Sequence, residues 1–498
     1  MLKKRTLPEQ QPSQLGRGEL IAKPAPEHQV LASSHSRCRV DLEESESGDC
    51  VENVPRAPRV EKLRSNRNLP SALLREPHHG MKVQMRWLSR GRTGLCAAVI
   101  VWAMWLRVGA GLLLLLVGFL TFNYFRPIPS VAAGASVPTS TTIAGTPPVL
   151  PWPSVGSAAV AVSGLGLVAN SGNESKVPIA SVAKVMTALI VLEEKPLKKS
   201  EQGPSILITD ADVQAYQTDK ADQQSVVAVS AGEQLPEFQA LQGLLIPSGN
   251  NIAFTLANWD AGSVTAFVAK MNKRAKELRM SHTVFADPAG ALAQTVSTPS
   301  DLVILGIKAM KQEVFAQIVA TTDAKLPVAG TVYNVDYVLG QSGIIGIKTG
   351  SGLNSGANFL FAASATVGGF TVVMFGCVMG QPTLDRAFAA AKALIAAMQP
   401  AITVKRILSK YQAVGSYEMP WGGRSDLLST SNVDLVEWPG MILRQSLHAP
   451  TLTITQPLPA GTTEGALNMV LGDYNLDVPL TTADALYPPG RFWKLTRI

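Results

Sequence analysis

The stretch Pro178-Ile-Ala-Ser-Val-Ala-Lys-Val-Met-Thr-Ala188 places a serine and a lysine three residues apart at the head of an apolar run. Val185, Ala188, Leu189 and Leu192 recur at i, i+3, i+4 and i+7, and Pro196 follows, so the spacing predicts a helix beginning at this serine. On that helix Ser181 and Lys184 share a face about one turn apart. A serine hydroxyl attacks poorly until a neighbouring base takes its proton. Lysine can be that base only when neutral, which at pH 7 requires a pKa lowered by about three units, worth roughly 4 kcal/mol. Burial and a second cation can supply such a shift. The helix N-terminus adds N–H groups and partial positive charge for a developing oxyanion. Alone, the pair reads more readily as a solvated lysine on an ordinary helix.

Two further elements change that balance. Ser248-Gly249-Asn250 follows the apolar Leu244-Leu245-Ile246-Pro247 and puts a hydroxyl and an amide on one tight loop. The amide can hold Lys184 and a substrate peptide group, and the hydroxyl can relay a proton to a leaving amine. Ser171-Gly172-Asn173 repeats the letters but lies in a turn-like stretch and reads as turn chemistry. Lys348-Thr349-Gly350 ends a strand-like run from Ile344 to Ile347. Alternation puts Lys348 and Gly350 on one side of that strand and Thr349 on the other. Lys348 would be the second cation, depressing the Lys184 pKa and attracting a carboxylate. The missing side chain at Gly350 would let a substrate lie against the strand edge.

The three elements occur in order at intervals of 67 and 100 residues, on a helix start, a loop and a strand end. Together with Gly243-Leu-Leu-Ile-Pro-Ser-Gly-Asn250, Phe267-Val-Ala-Lys-Met-Asn272 and Gly346-Ile-Lys-Thr-Gly350, they make the chain resemble the serine penicillin-binding proteins and β-lactamases. Within that group it is most similar to the low-molecular-weight D-Ala-D-Ala carboxypeptidases of peptidase family S11, over about residues 155–398. The resemblance implies an α+β, β-lactamase/DD-peptidase-like fold, with an antiparallel sheet flanked by helices and a helical subdomain. It implies that Ser181 forms an acyl-enzyme with the penultimate D-alanine of a peptidoglycan stem peptide and releases the terminal one. Lys184 would be the general base, with Ser248 and Asn250 relaying protons and holding the acyl amide. Lys348 and Thr349 would bind the terminal carboxylate, beside Gly350. The N–H groups of Ser181 and Ser351 would form the oxyanion hole. β-Lactam antibiotics are the implied acylating inhibitors, and neither metal nor cofactor is implied. Two positions depart from the family pattern: Asn251 stands for a usual Asp, and Asp287-Pro288-Ala289-Gly290 for a usual Asn-Pro-His-Gly. Both leave the catalytic groups in place and bear on substrate preference or rate.

Toward the N-terminus, Val108 to Phe125 gives 18 residues without charge after Arg107, about 27 Å of helix and just enough to cross a bilayer. Lys82, Arg86, Arg90 and Arg92 precede it and only Arg126 follows, which predicts a cytoplasmic N-terminus and an extracytoplasmic remainder in a single-pass cell-membrane protein. A signal peptide cleaved near Ala133-Gly134-Ala135 is the rival reading. The expected division is a disordered cytoplasmic region at 1–93, a transmembrane anchor at 94–125, a linker at 126–153, the catalytic domain at 154–398 and a β-rich C-terminal domain at 399–498. Residues 1 to about 80 are rich in Pro, Ser, Glu and Arg without apolar period, and a true start at Met81 or Met85 is the alternative. Seven prolines among residues 127–153 suggest a semi-extended linker.

Composition narrows the rest. The net charge of +7 is modest, and no basic face with interleaved aromatics points to nucleic acid. Of the four cysteines, Cys38, Cys50, Cys96 and Cys377, none forms a CxxC pair, so no zinc site or disulfide framework is indicated. A Ser-His-Asp hydrolase lacks a GxSxG elbow here and has only His282 and His448 beyond the apolar segment. No Glu-x-x-Leu-Asn lies between Asn250 and Lys348, so slow release of bound penicillin is expected. An endopeptidase acting on cross-links and a non-catalytic wall scaffold are the remaining alternatives.

Overall fold

Strand Ser157–Val162 (β1) is buried along its whole length, and its sequence Ser-Ala-Ala-Val-Ala-Val explains how. Side chains alternate between faces, and here the two faces meet different cores. Ala159 and Ala161 join one apolar cluster, Ala158, Val160 and Val162 the other. The computed structural model that shows this describes residues 93–498. The expectations for residues 1–92, including the disordered region, the alternative starts and the basic residues before the apolar segment, lie outside the described residues.

β1 and β2 (Gly166–Asn170) pair with a meander of β3 (Ile344–Gly352), β4 (Gly356–Val367) and β5 (Phe370–Gln381). The order is β3-β4-β5-β1-β2, and every neighbour is antiparallel. Gly-containing turns between the strand-like runs near 344–350, 357–365 and 370–379 predict such a meander from the sequence. Closure of the sheet by β1 against β5 is not predicted, because no local pattern specifies a partner two hundred residues away. Leu360, Ala362, Phe375, Cys377 and Met379 face the first cluster, and Phe359, Phe361, Met374 and Val378 the second. Cys377 is thus a core residue.

The first cluster holds the helices α2 (Lys184–Glu194), α3 (Asp210–Ala221), α4 (Glu237–Leu245), α5 (Asn250–Ala261), α6 (Val264–Glu277), α7 (Pro299–Ala309) and α8 (Glu313–Val319). α2 is buried from Lys184 to Leu192, all round rather than along one stripe, as expected of a helix surrounded by others. Its periodic residues are therefore only part of the buried set, which also takes in Met186, Ile190 and Val191. On the opposite sheet face lies α9 (Leu384–Met398), with Phe388 edge-on to Phe359 at 4.8 Å.

Beyond α9, β6 (Ala413–Glu418), β7 (Arg424–Ser429), β8 (Ile442–His448), β9 (Thr463–Leu471) and β10 (Tyr474–Thr482) are the long members of a seven-stranded sheet. Their inner residues Tyr417, Leu427, Leu443, Leu467 and Leu480 belong to the same cluster as Phe388 and Val160, so a shared core crosses position 398. The Pro-rich segment 126–153 differs from the free linker expected of it. Gly134–Ala135 pairs with β6, Ser140–Thr142 with β8, and Val131, Ile143 and Leu150 are buried. Pairings of two and three residues leave no readable alternation, and they cover both open edges of the sheet.

α1 (Thr93–Phe125) contains one stretch, Ala98–Phe125, long and apolar enough to cross a membrane. Contacts divide the chain after Leu116. Within the unit Val117–Ile498, the short helix α10 (Arg491–Thr496) is followed by Arg497. Its guanidinium donates to Asn123 O at 3.0 and 2.8 Å and to Pro127 O at 3.0 Å, satisfying carbonyls that the end of α1 leaves open.

Candidate active site

Ser181 sits on a single 3-10 turn, Ala180–Ala183, that runs into α2 at Lys184. The expectation was an α-helical start. A 3-10 turn eclipses residues i and i+3, which brings the two side chains closer than α geometry would. Ala180 just before the serine has φ +48°, a left-handed conformation uncommon for a residue with a Cβ. It is held there from outside: Gly290, at φ +76°, lies so close that an added Cβ would stand 1.8 Å from Ala180 O.

Lys184 is fully buried, and its Nζ has three neighbours: Ser181 Oγ at 2.7 Å, Asn250 Oδ1 at 2.6 Å and Ala289 O at 3.1 Å. A neutral amine has two protons and one lone pair. It can donate to the amide and carbonyl oxygens and accept from the serine hydroxyl, so this environment suits the basic form. The electrostatics agree. Burial pushes the Lys184 pKa well below its ordinary value, Lys348 pushes it further, and Asp287 and Asp219 oppose.

Asn250 begins α5, and its Nδ2 donates to Gln224 Oε1 at 2.9 Å. Ser248 stands two residues before it at φ +67°, 4% exposed, with an Oγ that has no hydrogen-bond partner. A strained residue with an unused buried hydroxyl is typical of a functional position. Asn251 is turned away from the cleft: its Oδ1 accepts from Val227 N at 3.0 Å and its Nδ2 donates to Val227 O at 2.8 Å. An ionised aspartate could make only the first of these bonds.

Lys348 is 2% exposed on β3, and its Nζ donates to Thr349 O at 3.2 Å. Burial lowers its pKa to about 7, against the pull of Asp336. Thr349 is also buried. Gly350 has a different reason from the one expected. An added Cβ would lie 2.7 Å from Ile179 O and 3.1 Å from Ser181 N, so the space belongs to the serine turn and not to a substrate. The glycine lets β3 lie against the backbone that carries the nucleophile. Ser351 is exposed at the strand's end and, with Ser181, Asn250 and Gly290, lines a cleft of about 560 Å³.

One contributor was missed from the sequence, and another, noted there only as a departure from the family pattern, has a structural role. The Ala289 carbonyl that receives Lys184 carries no side-chain signature. Asp287 fixes it in place: its carboxylate accepts from Ala289 N at 2.8 Å, Ala291 N at 3.0 Å, Leu292 N at 3.0 Å and Thr295 Oγ1 at 2.9 Å. Thr187 of α2 donates to Pro288 O at 2.6 Å, tying the loop to the lysine's helix. Of the repeated letters, Asn173 Oδ1 accepts from Ser175 N at 3.1 Å in a local turn, whereas Ser171 Oγ accepts from Ala158 N at 3.0 Å on β1.

Comparison with known proteins bears on the family and the fold. The family described as D-alanyl-D-alanine carboxypeptidase, peptidase S11, matches residues 160–383. The chain is 36% identical over 218 residues to the D-alanyl-D-alanine carboxypeptidase DacB2 of Mycobacterium tuberculosis, covering 41% of this chain and 69% of that protein. It is 32% identical over 163 residues to a D-alanyl-D-alanine endopeptidase of Pseudomonas aeruginosa, covering 32% of this chain and 49% of that one. Among solved structures, the D-alanyl-D-alanine carboxypeptidase DacD from Francisella tularensis shares the fold with a TM-score of 0.50 at 17% identity, over 69% of this chain and 96% of that one.

Proposed function

This chain belongs to peptidase family S11, the serine D-alanyl-D-alanine carboxypeptidases, and we propose that it removes the terminal D-alanine of peptidoglycan stem peptides through an acyl-enzyme on Ser181. The observation that carries the assignment of roles is the three-way contact of Lys184 Nζ with Ser181 Oγ, Asn250 Oδ1 and Ala289 O. Neutral Lys184 takes the Ser181 proton as Oγ bonds to the penultimate D-alanine carbonyl carbon. The oxyanion is received by the N–H groups of Ser181 and Ser351. The proton then passes through the Ser248 hydroxyl to the departing amine, the C–N bond breaks and D-alanine leaves. Water, deprotonated by the same lysine, adds to the ester carbon, and the lysine returns that proton to Ser181 Oγ as the C–O bond breaks. Asn250 holds the acyl amide, and Lys348 with Thr349 receives the terminal carboxylate.

A fluorescent penicillin is expected to label the full chain and to fail on Ser181→Ala; equal labelling of both would remove Ser181 from the role of nucleophile. Release of D-alanine from a pentapeptide distinguishes a carboxypeptidase from a wall scaffold, and cleavage of cross-linked dimers would favour the endopeptidase reading, which the Pseudomonas relative's name supports.

The finer setting is proposed with it. α1 is the single-pass anchor, with a cytoplasmic N-terminus and the catalytic region outside the cell membrane, a reading supported by its length and by the excess of basic residues before it. Residues 154–398 act as the catalytic domain and 399–498 as a β-rich domain packed against it.

A further inference from the structure

The segment Arg491-Phe-Trp-Lys-Leu-Thr-Arg-Ile498 interleaves three cations with large apolar side chains, and no acidic residue falls between Ala485 and Ile498. None of these groups lines the cleft. They gather instead at the last turn of α1. Asn123 Nδ2 donates to Leu495 O at 3.4 Å, and Lys494 Nζ stands 5.9 Å over the ring of Tyr124. Arg497 is buried, its guanidinium donating to the carbonyls of Asn123, Arg126 and Pro127 and lying 5.2 Å from the Trp493 ring. On its other side the segment is tied to the C-terminal sheet. Trp493 meets Trp421 edge-on at 5.3 Å, and Trp421, in the turn between β6 and β7, donates from Nε1 to Tyr487 O at 2.8 Å. One guanidinium and one indole therefore join the end of the apolar helix to the sheet.

That attachment fixes a depth. With α1 as the anchor, residues 108–125 are its uncharged length between Arg107 and Arg126, about 27 Å of rise and close to the hydrocarbon thickness of a bilayer. Arg126 then stands at the lipid headgroups, and Asn123 about one helical turn inside them. A segment bonded to Asn123, Arg126 and Pro127 lies at the same level. Its outward side chains suit that place. Phe492 is 80% exposed, and Arg491, Ile498, Tyr487 and Phe125 are exposed as well. In water the apolar ones among them contribute nothing. At a membrane surface aromatic rings are favoured, and long cationic side chains reach phosphate oxygens.

We propose that residues 490–498 form an interfacial brace on the membrane that α1 crosses. Phe492 and Ile498 enter the headgroup layer, Arg491 and Lys494 meet lipid phosphates, and Arg497 locks the segment to α1. The C-terminal sheet is thereby held on the lipid surface instead of hanging from a tether. The Pro-rich segment 126–153, paired into the same sheet, adds no slack between them. The inference rests on the reading of α1 as the anchor and deepens it from a point of attachment to a docked surface.

The test is spin-label accessibility on the full chain in vesicles of phosphatidylcholine and phosphatidylglycerol. Cys38, Cys50 and Cys96 are changed to serine, and buried Cys377 is kept. Labels are placed through Phe492→Cys, Tyr411→Cys and Leu114→Cys. Tyr411 is exposed at the far end of β6 from Trp421, and Leu114 lies midway along the apolar stretch of α1. The label at 492 is expected to favour collisions with dissolved oxygen over a water-soluble nickel chelate at least about fivefold more than the label at 411. Charge reversal by Arg491→Glu with Lys494→Glu should lower that preference about threefold, and no fall would strike out lipid phosphate as the ligand. A label at 492 as open to the chelate as the one at 411 would overturn the brace. Ile498→Cys repeats the measurement with the Phe492 ring kept in place. The label at 114 separates the two levels. If it is shielded by lipid while 492 is open to the chelate, only the brace falls; if both are open, the anchor reading falls with it.

Discussion

The catalytic sheet and the C-terminal sheet are both antiparallel, yet they bury different things. β1 is covered on both faces and uses only alanine and valine after Ser157, whereas β7 alternates buried and more exposed positions in the usual way of a sheet with one wet face. Around the first sheet the interior holds Lys184, Lys348, Glu237, Asp287 and Asp336; in the second the buried polar residues are mainly hydroxyls such as Ser425, Ser429 and Thr482. Buried charge costs stability unless paired. Lys184, Asp287 and Lys348 carry that cost at the site itself, where the chemistry requires them.

That contrast can be tested by breaking it. Gly290→Ala should have the largest effect, since the new Cβ would collide with Ala180 O at a left-handed backbone position. A loss of about 3 kcal/mol is expected from thermal unfolding, with kcat down about a hundredfold as the Ser181 turn shifts. Retention of full activity would mean that the turn is not held from the Gly290 side.

The next test sharpens the contrast through pH. Glu237 is fully buried with both carboxylate oxygens unpartnered, and burial raises its pKa to about 7, with Lys195 opposing and Asp260 reinforcing. The folded chain therefore holds this proton more firmly than the unfolded one. The sign follows: stability is greatest below about pH 4.5, declines as pH rises toward 7, and levels off above it. The decline attributable to this residue should reach up to about 3 kcal/mol. Unfolding of wild type and Glu237→Gln at about pH 5 and pH 8.5 should show the difference between pH values shrink in the variant; an unchanged difference would assign the slope to other groups.

The smallest effect belongs to the edge strand. Thr141 pairs with Leu443 in an exposed register, and Thr141→Pro should cost about 1 kcal/mol by removing edge hydrogen bonds. Release of D-alanine from a soluble peptide should be unchanged. A lost activity there would show that the second sheet supports the cleft after all.

How legible all this was depends on the kind of signal. Ser181, Lys184, Ser248, Asn250 and Lys348 stand out because reactivity resides in side-chain type, and helix, loop and strand spacings could be read around each. The meander β3–β5 was legible because its connections are short. The closing partner β1, the pairing of the 126–153 segment and the shared core across 398 were not, because each depends on contacts between residues far apart in the chain. Gly350 illustrates the limit. Its identity was visible, but whether its empty side faced a ligand or a neighbouring turn depended on where residues 179–182 came to rest.

The order of amino acids alone determined which groups could react and the local geometry offered to each of them, since hydroxyl, amine and amide chemistry belongs to the residue. Folding decided what those groups experience: the Ala289 carbonyl beside Lys184, the idle carboxylate of Asp336 and the burial that lowers the pKa of both lysines. Dielectric surroundings and backbone acceptors have no letter of their own, and they come into being only when distant segments exclude water together.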